Sequence, residues 1–290
     1  MKTKKPQFHY PTEIQLKNNP LMEAWLEIRW QLKETDFPGL LTDSQYPFAL
    51  GIFYESVKDI FGFLEELPTS KAPEGFLPYA VQHRFRVAED GWPILQLGPG
   101  VASVNFTTPY SWTIFKEKAH YLRLKLLNAY KTSGLKTQSI FLRYRNGFSY
   151  NYGTESLFIF LKEKLNTSIS LPKSIPGSFT EKPYPSNTNI TFTYDLSIPK
   201  GVGKIKIGSG YTRKVSEEHE PKPKEVIIVE LEIGSIGNNA PDITAKSRFN
   251  DWLELAHSVT HEWFFSLIDG ELFKQFLKGE YYVIPGNHLG

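Results

Sequence analysis

From Met22 to Lys33 the chain alternates without interruption. Met22, Ala24, Leu26, Ile28, Trp30 and Leu32 fall on one side; Glu23, Trp25, Glu27, Arg29, Gln31 and Lys33 fall on the other. A period of two sustained over this length argues for a half-buried strand with one face on a core and one face exposed. The rest of the chain is read around that strand.

Phe48 to Leu67 reads as a helix, with Phe53, Val57, Ile60 and Leu64 at spacings of three and four and Pro68 as its stop. Val81 to Ala88 is a second strand, with His83 and Phe85 on one face and Arg84 and Arg86 on the other. Glu89-Asp90-Gly91 is a hairpin signal. Ile94 to Phe106 reads as a third strand interrupted by Gly98-Pro99-Gly100. Proline removes a ladder donor and the glycines permit unusual dihedrals, so a bulge or bend at a sheet edge is expected there. A phosphate loop is not, because its glycines must lead from a strand into a helix N-terminus with free N–H groups.

Thr108 and Pro109 form a helix start. Trp112, Phe115, Ala119, Leu122, Leu126 and Ala129 then mark a helix ending by Gly134, and the off-stripe Tyr121 and Leu124 suggest a second contact. Gln138 to Phe148 alternates as a fourth strand. The order β-α-β-β-α-β over residues 12–150 is expected to fold as a ferredoxin-like half, with one mainly antiparallel sheet and two helices on one face.

Residues 151–290 carry a helix from Glu155 to Leu165, then a Pro/Ser/Thr-rich connection from Thr167 to Asn189. Strand patterns follow at Ile190–Ile198, Lys204–Thr212 and Glu225–Ile233, with a charged tip at Val215–Lys224. A long helix from Ser247 to Ile268 and a short one from Glu271 to Lys278 close the chain. The fold class expected is α+β, with this mainly antiparallel second half packed on or extending the first in one compact unit.

The 290 residues contain no cysteine. Disulfides, thiolate metal sites, iron–sulfur clusters and cysteine nucleophiles are thereby excluded, which fits a cytoplasmic protein. No apolar run reaches membrane-span length, and the basic start Met1–Lys5 has no apolar stretch behind it, so neither a membrane partner nor a secretory signal is expected.

Charge is unevenly placed. Between Ser111 and Tyr150 eight bases stand against one acid, net +7; between Val215 and Gly290 thirteen acids stand against six bases, net −7. Such asymmetry marks an anion-binding face, or two regions that meet within the fold or across a homo-oligomer. Arg29, Arg84, Arg86, Arg143 and Arg145 all fall opposite the apolar residues of their strands, with Trp25 and Phe141 on the same side. Arginines interleaved with aromatics on an open sheet suit single-stranded nucleic acid, with charge for phosphates and rings for stacking. Lys116 and Arg123 belong to the same basic region. The alternative is that this face is covered, or that its arginines pair with Glu23, Glu27 and the acidic C-terminal region.

His257 and His261 lie four residues apart on the long helix, one turn after Glu254. That line holds zinc if further ligands come from elsewhere, although the zincin glutamate after the first histidine is absent. The competing reading is a pair of boundary histidines on an amphipathic helix. There is no Gly-x-Ser-x-Gly elbow and no carboxylate pair that stands out, so no catalytic residue and no cofactor is assigned.

Three stretches together resemble one family of bacterial proteins. They are Asn19-Pro20-Leu21-Met22-Glu23, Leu95-Gln96-Leu97-Gly98-Pro99-Gly100-Val101-Ala102-Ser103-Val104-Asn105, and Tyr110-Ser111-Trp112 with Phe115; His257 also resembles that family. Its members are slightly shorter than this chain, uncharacterised and sporadically distributed among genomes. The resemblance implies no activity, cofactor or catalytic residue. Sporadic occurrence resembles that of genes in mobile elements or defence loci, which implies an accessory role. The function expected is therefore a non-enzymatic binding or interaction protein with a protein or homo-oligomeric partner. Nucleic-acid binding and a metal enzyme built on His257, His261 and Glu254 are the alternatives.

Overall fold

The computed structural model describes residues 8–10, 14, 16–73, 75–107, 109–131, 135–152, 155–172, 175, 185, 187–212 and 224–279. The expected cap at Thr108, the charged tip at 215–223 and most of the 167–189 connection lie outside the described residues.

The predicted first strand is β1, Leu21–Trp30. It lies inside one nine-stranded sheet with β4 (Phe63–Glu66), β5 (His83–Arg86), β6 (Ile94–Gly98), β7 (Val101–Phe106), β8 (Thr137–Ser149), β9 (Asn189–Ser197), β10 (Lys200–Thr212) and β11 (Lys224–Ile236). The spatial order is β4-β5-β6-β7-β1-β8-β11-β10-β9, and every neighbouring pair is antiparallel. Two short strands, β2 (Lys33–Glu34) and β3 (Leu41–Thr42), pair separately. The helices are α1 (Tyr46–Val57), α2 (Trp112–Ala129), α3 (Leu157–Lys164), α4 (Lys246–Ile268) and α5 (Glu271–Lys278). The protein is thus α+β, and its second half continues the first half's sheet through the β8–β11 ladder.

The alternation read from the sequence decides which face is covered. Ala24, Leu26, Ile28 and Trp30 are buried with Phe53 and Val57 of α1, Phe115 and Leu122 of α2, and Phe249 and Leu253 of α4. A second cluster joins Phe148, Leu231 and Ile207 to Leu161 of α3, Phe265 of α4 and Phe276 of α5. All described helices pack on this one face. Burial of these aliphatic and aromatic side chains, at about 1.5–3 kcal/mol each, is the main stabilising contribution.

Three expectations need correction. Gly98-Pro99-Gly100 is not a bend within one strand. Gly98 pairs with Val101, so Pro99 and Gly100 are the two-residue loop of the β6–β7 hairpin. Proline at the first central position and a glycine at φ +77° at the second fit a type II turn. The turn is held by Asp43, whose Oδ2 accepts from the Gly100 N–H (3.2 Å), the Trp30 indole (3.0 Å) and the Tyr130 hydroxyl (2.8 Å). The helix expected from Phe48 to Leu67 ends at Val57, and Phe63–Glu66 leaves it to become β4. Ile60 and Leu64, assigned to the helix's apolar stripe, are instead exposed. On α2, Tyr121 does find a second contact, packing near Phe61, whereas Leu124 is 58% exposed.

Candidate functional site

The other face of the sheet carries no described helix. Its side chains are the polar half of each alternating strand, and register decides which of them meet. Trp25 stands opposite Arg143, Arg143 opposite Glu232 and Glu232 opposite Lys204. In the next row Glu23, Arg145, Glu230 and Lys206 follow one another across the same four strands. Charges of alternating sign therefore sit at adjacent cross-strand positions, where opposite charges attract.

Each central carboxylate takes two cations. Glu230 accepts from Arg145 Nη2 at 3.0 Å and from Lys206 Nζ at 2.7 Å. Glu232 accepts from Lys204 Nζ at 2.9 Å and from Arg143 Nε. Burial alone would raise both carboxyls, since Glu230 is 8% and Glu232 4% exposed. For Glu230 the hydrogen bonds and charges of Lys206 and Arg145 outweigh burial, and for Glu232 those of Arg143 and Lys204 do so; both carboxyls are held below the usual range.

The lattice continues into the first half. Glu27 Oε2 lies 3.7 Å from Arg143 Nη1, and its Oε1 is 2.8 Å from Arg29 Nε, an ion contact without hydrogen-bond geometry. Glu23 accepts from Asn105 Nδ2 at 2.8 Å and lies 3.9 Å from Arg145. Ser103 donates to Gln96 on the neighbouring strand. At the far side Glu65 faces both Arg86 (3.0 Å) and Arg84 (3.5 Å). The Trp25 ring centre is 5.5 Å from the Arg143 guanidinium and 5.2 Å from that of Arg145; Phe141 lies 4.9 Å from Arg143. These are cation–π distances.

Of the sequence-assigned basic and aromatic residues, Arg29, Arg84, Arg86, Arg143, Arg145, Trp25 and Phe141 are brought onto this one face. Lys116 and Arg123 are not, because α2 lies on the opposite side of the sheet. Lys116 Nζ donates to Glu254 at 2.7 Å, and Arg123, 4% exposed, donates to the Ile243 and Thr244 carbonyls. Glu65, Glu230, Glu232, Lys204 and Lys206 were not assigned from sequence. For the last four the signal was present, two lysines and two glutamates, each pair spaced by two on a strand, whereas Glu65 lay in the stretch read as helix.

The helix histidines take another role. His257 is buried, stacked on Trp112, with Nδ1 3.0 Å from the Tyr144 hydroxyl. Its ring centre is 5.8 Å from that of His261, while Glu254 accepts from Lys116. Among the described residues no group of three or more histidines and carboxylates could hold a metal, so His257, His261 and Glu254 do not form the centre that their spacing allowed. No described helix is long and apolar enough to cross a membrane.

Comparison of the chain with protein-family models, with curated proteins and with solved structures finds no match in any of the three. The functional reading rests on the geometry of this face.

Proposed function

We propose that this chain is a binding protein whose recognition surface is the sheet face that carries no described helix, and that its partner is another protein. The observation that supports this best is that Glu65, Glu230 and Glu232 each lie between two cations. The arginines that would hold phosphates already have anionic partners. By strand register Arg29, Arg84, Arg86, Arg143, Arg145, Lys200, Lys204, Lys206 and Lys224 stand against Glu23, Glu27, Glu65, Asp195, Glu230 and Glu232 on the face, nine cations to six carboxylates, for a surplus of +3. A polyphosphate would have to displace several internal carboxylates, leaving each one desolvated and unpaired. A protein surface of mixed charge with a modest acidic excess exchanges partners with such a lattice one pair at a time. Trp25 and Phe141, flanked by guanidiniums, supply the aromatic and arginine anchors that dominate protein interfaces.

The test is capture from lysate of the cells that encode the protein, using wild type and the variant Trp25→Ala/Arg145→Glu, with the fold checked by circular dichroism. A polypeptide retained by wild type and lost with the variant is the expected result. Salt-sensitive retention of single-stranded nucleic acid, abolished when Arg84, Arg86, Arg143 and Arg145 are neutralised, would establish the alternative instead.

A further inference from the structure

The two ends of the sheet are unlike. β4 is four residues long and carries Glu65 and Glu66, the short charged kind of edge that resists pairing. β9 is nine residues long, Asn-Ile-Thr-Phe-Thr-Tyr-Asp-Leu-Ser, with Asp195 as its single charge. It holds no proline, lysine or glycine, and its register with β10 runs unbroken from Asn189 opposite Gly208 to Ser197 opposite Lys200. Among the described residues, Asp195 is the one device on it of the kind that usually blunts an edge strand.

The direction of its free backbone groups follows from one hydrogen bond. Ser209 N–H donates to the Thr188 carbonyl at 2.9 Å, one pair beyond β9 in the same register. Antiparallel residues exchange bonds with a given neighbour at every second position. Ile190, Phe192, Tyr194 and Leu196 therefore bond to β10, and Asn189, Thr191, Thr193, Asp195 and Ser197 turn their N–H and C=O groups outward.

We propose that β9 is the interface through which two copies of this chain join, antiparallel, into one continuous sheet. The strand is self-complementary about Thr193, its central residue. Thr193 meets the partner's Thr193, and the Thr191 hydroxyl meets the partner's Asp195 carboxylate. On the helix side Phe192 meets the partner's Tyr194 and Ile190 meets the partner's Leu196, which covers the 47% exposed Tyr194 ring. The outward groups supply about ten backbone hydrogen bonds in that register. Paired residues of antiparallel strands share a face, so the two faces that carry no described helix lie on the same side of the joined sheet. The dimer does not depend on the recognition reading; only the doubling of the recognition face does.

Sedimentation at micromolar concentration tests this. Wild type is expected at twice the 33.3 kDa chain mass. Thr193→Pro removes an outward N–H without touching a bond to β10 and is expected to be a folded monomer. Thr193→Val keeps the backbone and stays dimeric. Thr193→Lys and Thr193→Glu each place like charges at the self-paired position and are monomeric alone. Mixing them restores the dimer, which keeps the test decisive if the proline variant fails to fold. A monomeric or open-ended wild type overturns the proposal, as does a dimer that survives Thr193→Lys.

Discussion

The His257 imidazole lies flat on the Trp112 indole, ring centres 3.7 Å apart and planes 9° apart. Its Nδ1 is 3.0 Å from the Tyr144 hydroxyl, which in turn meets the Tyr110 hydroxyl at 2.8 Å. One histidine thus ties α4 to the start of α2 and to β8. Burial, with His261 and Lys116 nearby, pushes its pKa down to about 3. In the unfolded chain it titrates near 6.5. Between those values the unfolded state binds the proton and the folded state does not, so stability falls as pH drops below about 6.5, by up to about 1.4 kcal/mol per pH unit. His257→Gln cannot titrate. Urea midpoints at pH 7.5 and 5.0 are expected to differ less in that variant than in wild type.

The ion-pair lattice predicts a second acid-sensitive component with a lower window. Glu230 and Glu232 are held below their usual range in the fold, so their stabilising contribution is complete above about pH 4.3 and is lost as pH falls through their lowered values. Glu230→Gln/Glu232→Gln is expected to flatten the urea midpoint between pH 5 and pH 3.

Breaking one partner and removing both should differ. Arg143→Leu leaves Glu232, 4% exposed, with Lys204 at 2.9 Å and Lys206 only at 4.0 Å, and is expected to cost about 1–3 kcal/mol. Arg143→Leu/Glu232→Leu removes the stranded charge and should recover most of that loss. Equilibrium urea unfolding of both variants reads the difference.

Gly98 is fixed by a close approach. A Cβ there would lie 1.9 Å from the Ala80 carbonyl oxygen, because the Tyr79–Ala80 backbone crosses the border of the open face at that point. Gly98→Ala is expected to cost about 2–4 kcal/mol. Gly51→Ala, on an exposed stretch of α1 with nothing within 4 Å, should instead stabilise by about 0.5–1 kcal/mol. Thermal unfolding of the pair separates steric from helix-propensity effects.

What could be read from sequence follows the range of the signal. β1, the three strands of the second half and α4 were legible because their periodicity is local and long. The β6–β7 hairpin was not, because a proline and a glycine between two apolar runs suit a bend or a turn equally until Gly98 is seen to pair with Val101. Ile60 and Leu64 continued a helical spacing that the chain abandons after Val57. The arginine face was legible strand by strand from alternation. Its neutralisation was not, since Glu230 and Glu232 follow Arg143 and Arg145 by a long stretch of chain and meet them only through the β8–β11 register. Arg123 looked like part of the basic region, yet its guanidinium holds two backbone carbonyls.

The most direct measurement of the central claim is photocrosslinking in the native cell. A photoreactive residue replaces Arg84, on the open face, or Ile159, 56% exposed on α3. A discrete polypeptide adduct from position 84 and none from position 159 is the predicted result. An RNA or DNA adduct at position 84, or the same polypeptide adduct at both positions, would contradict it.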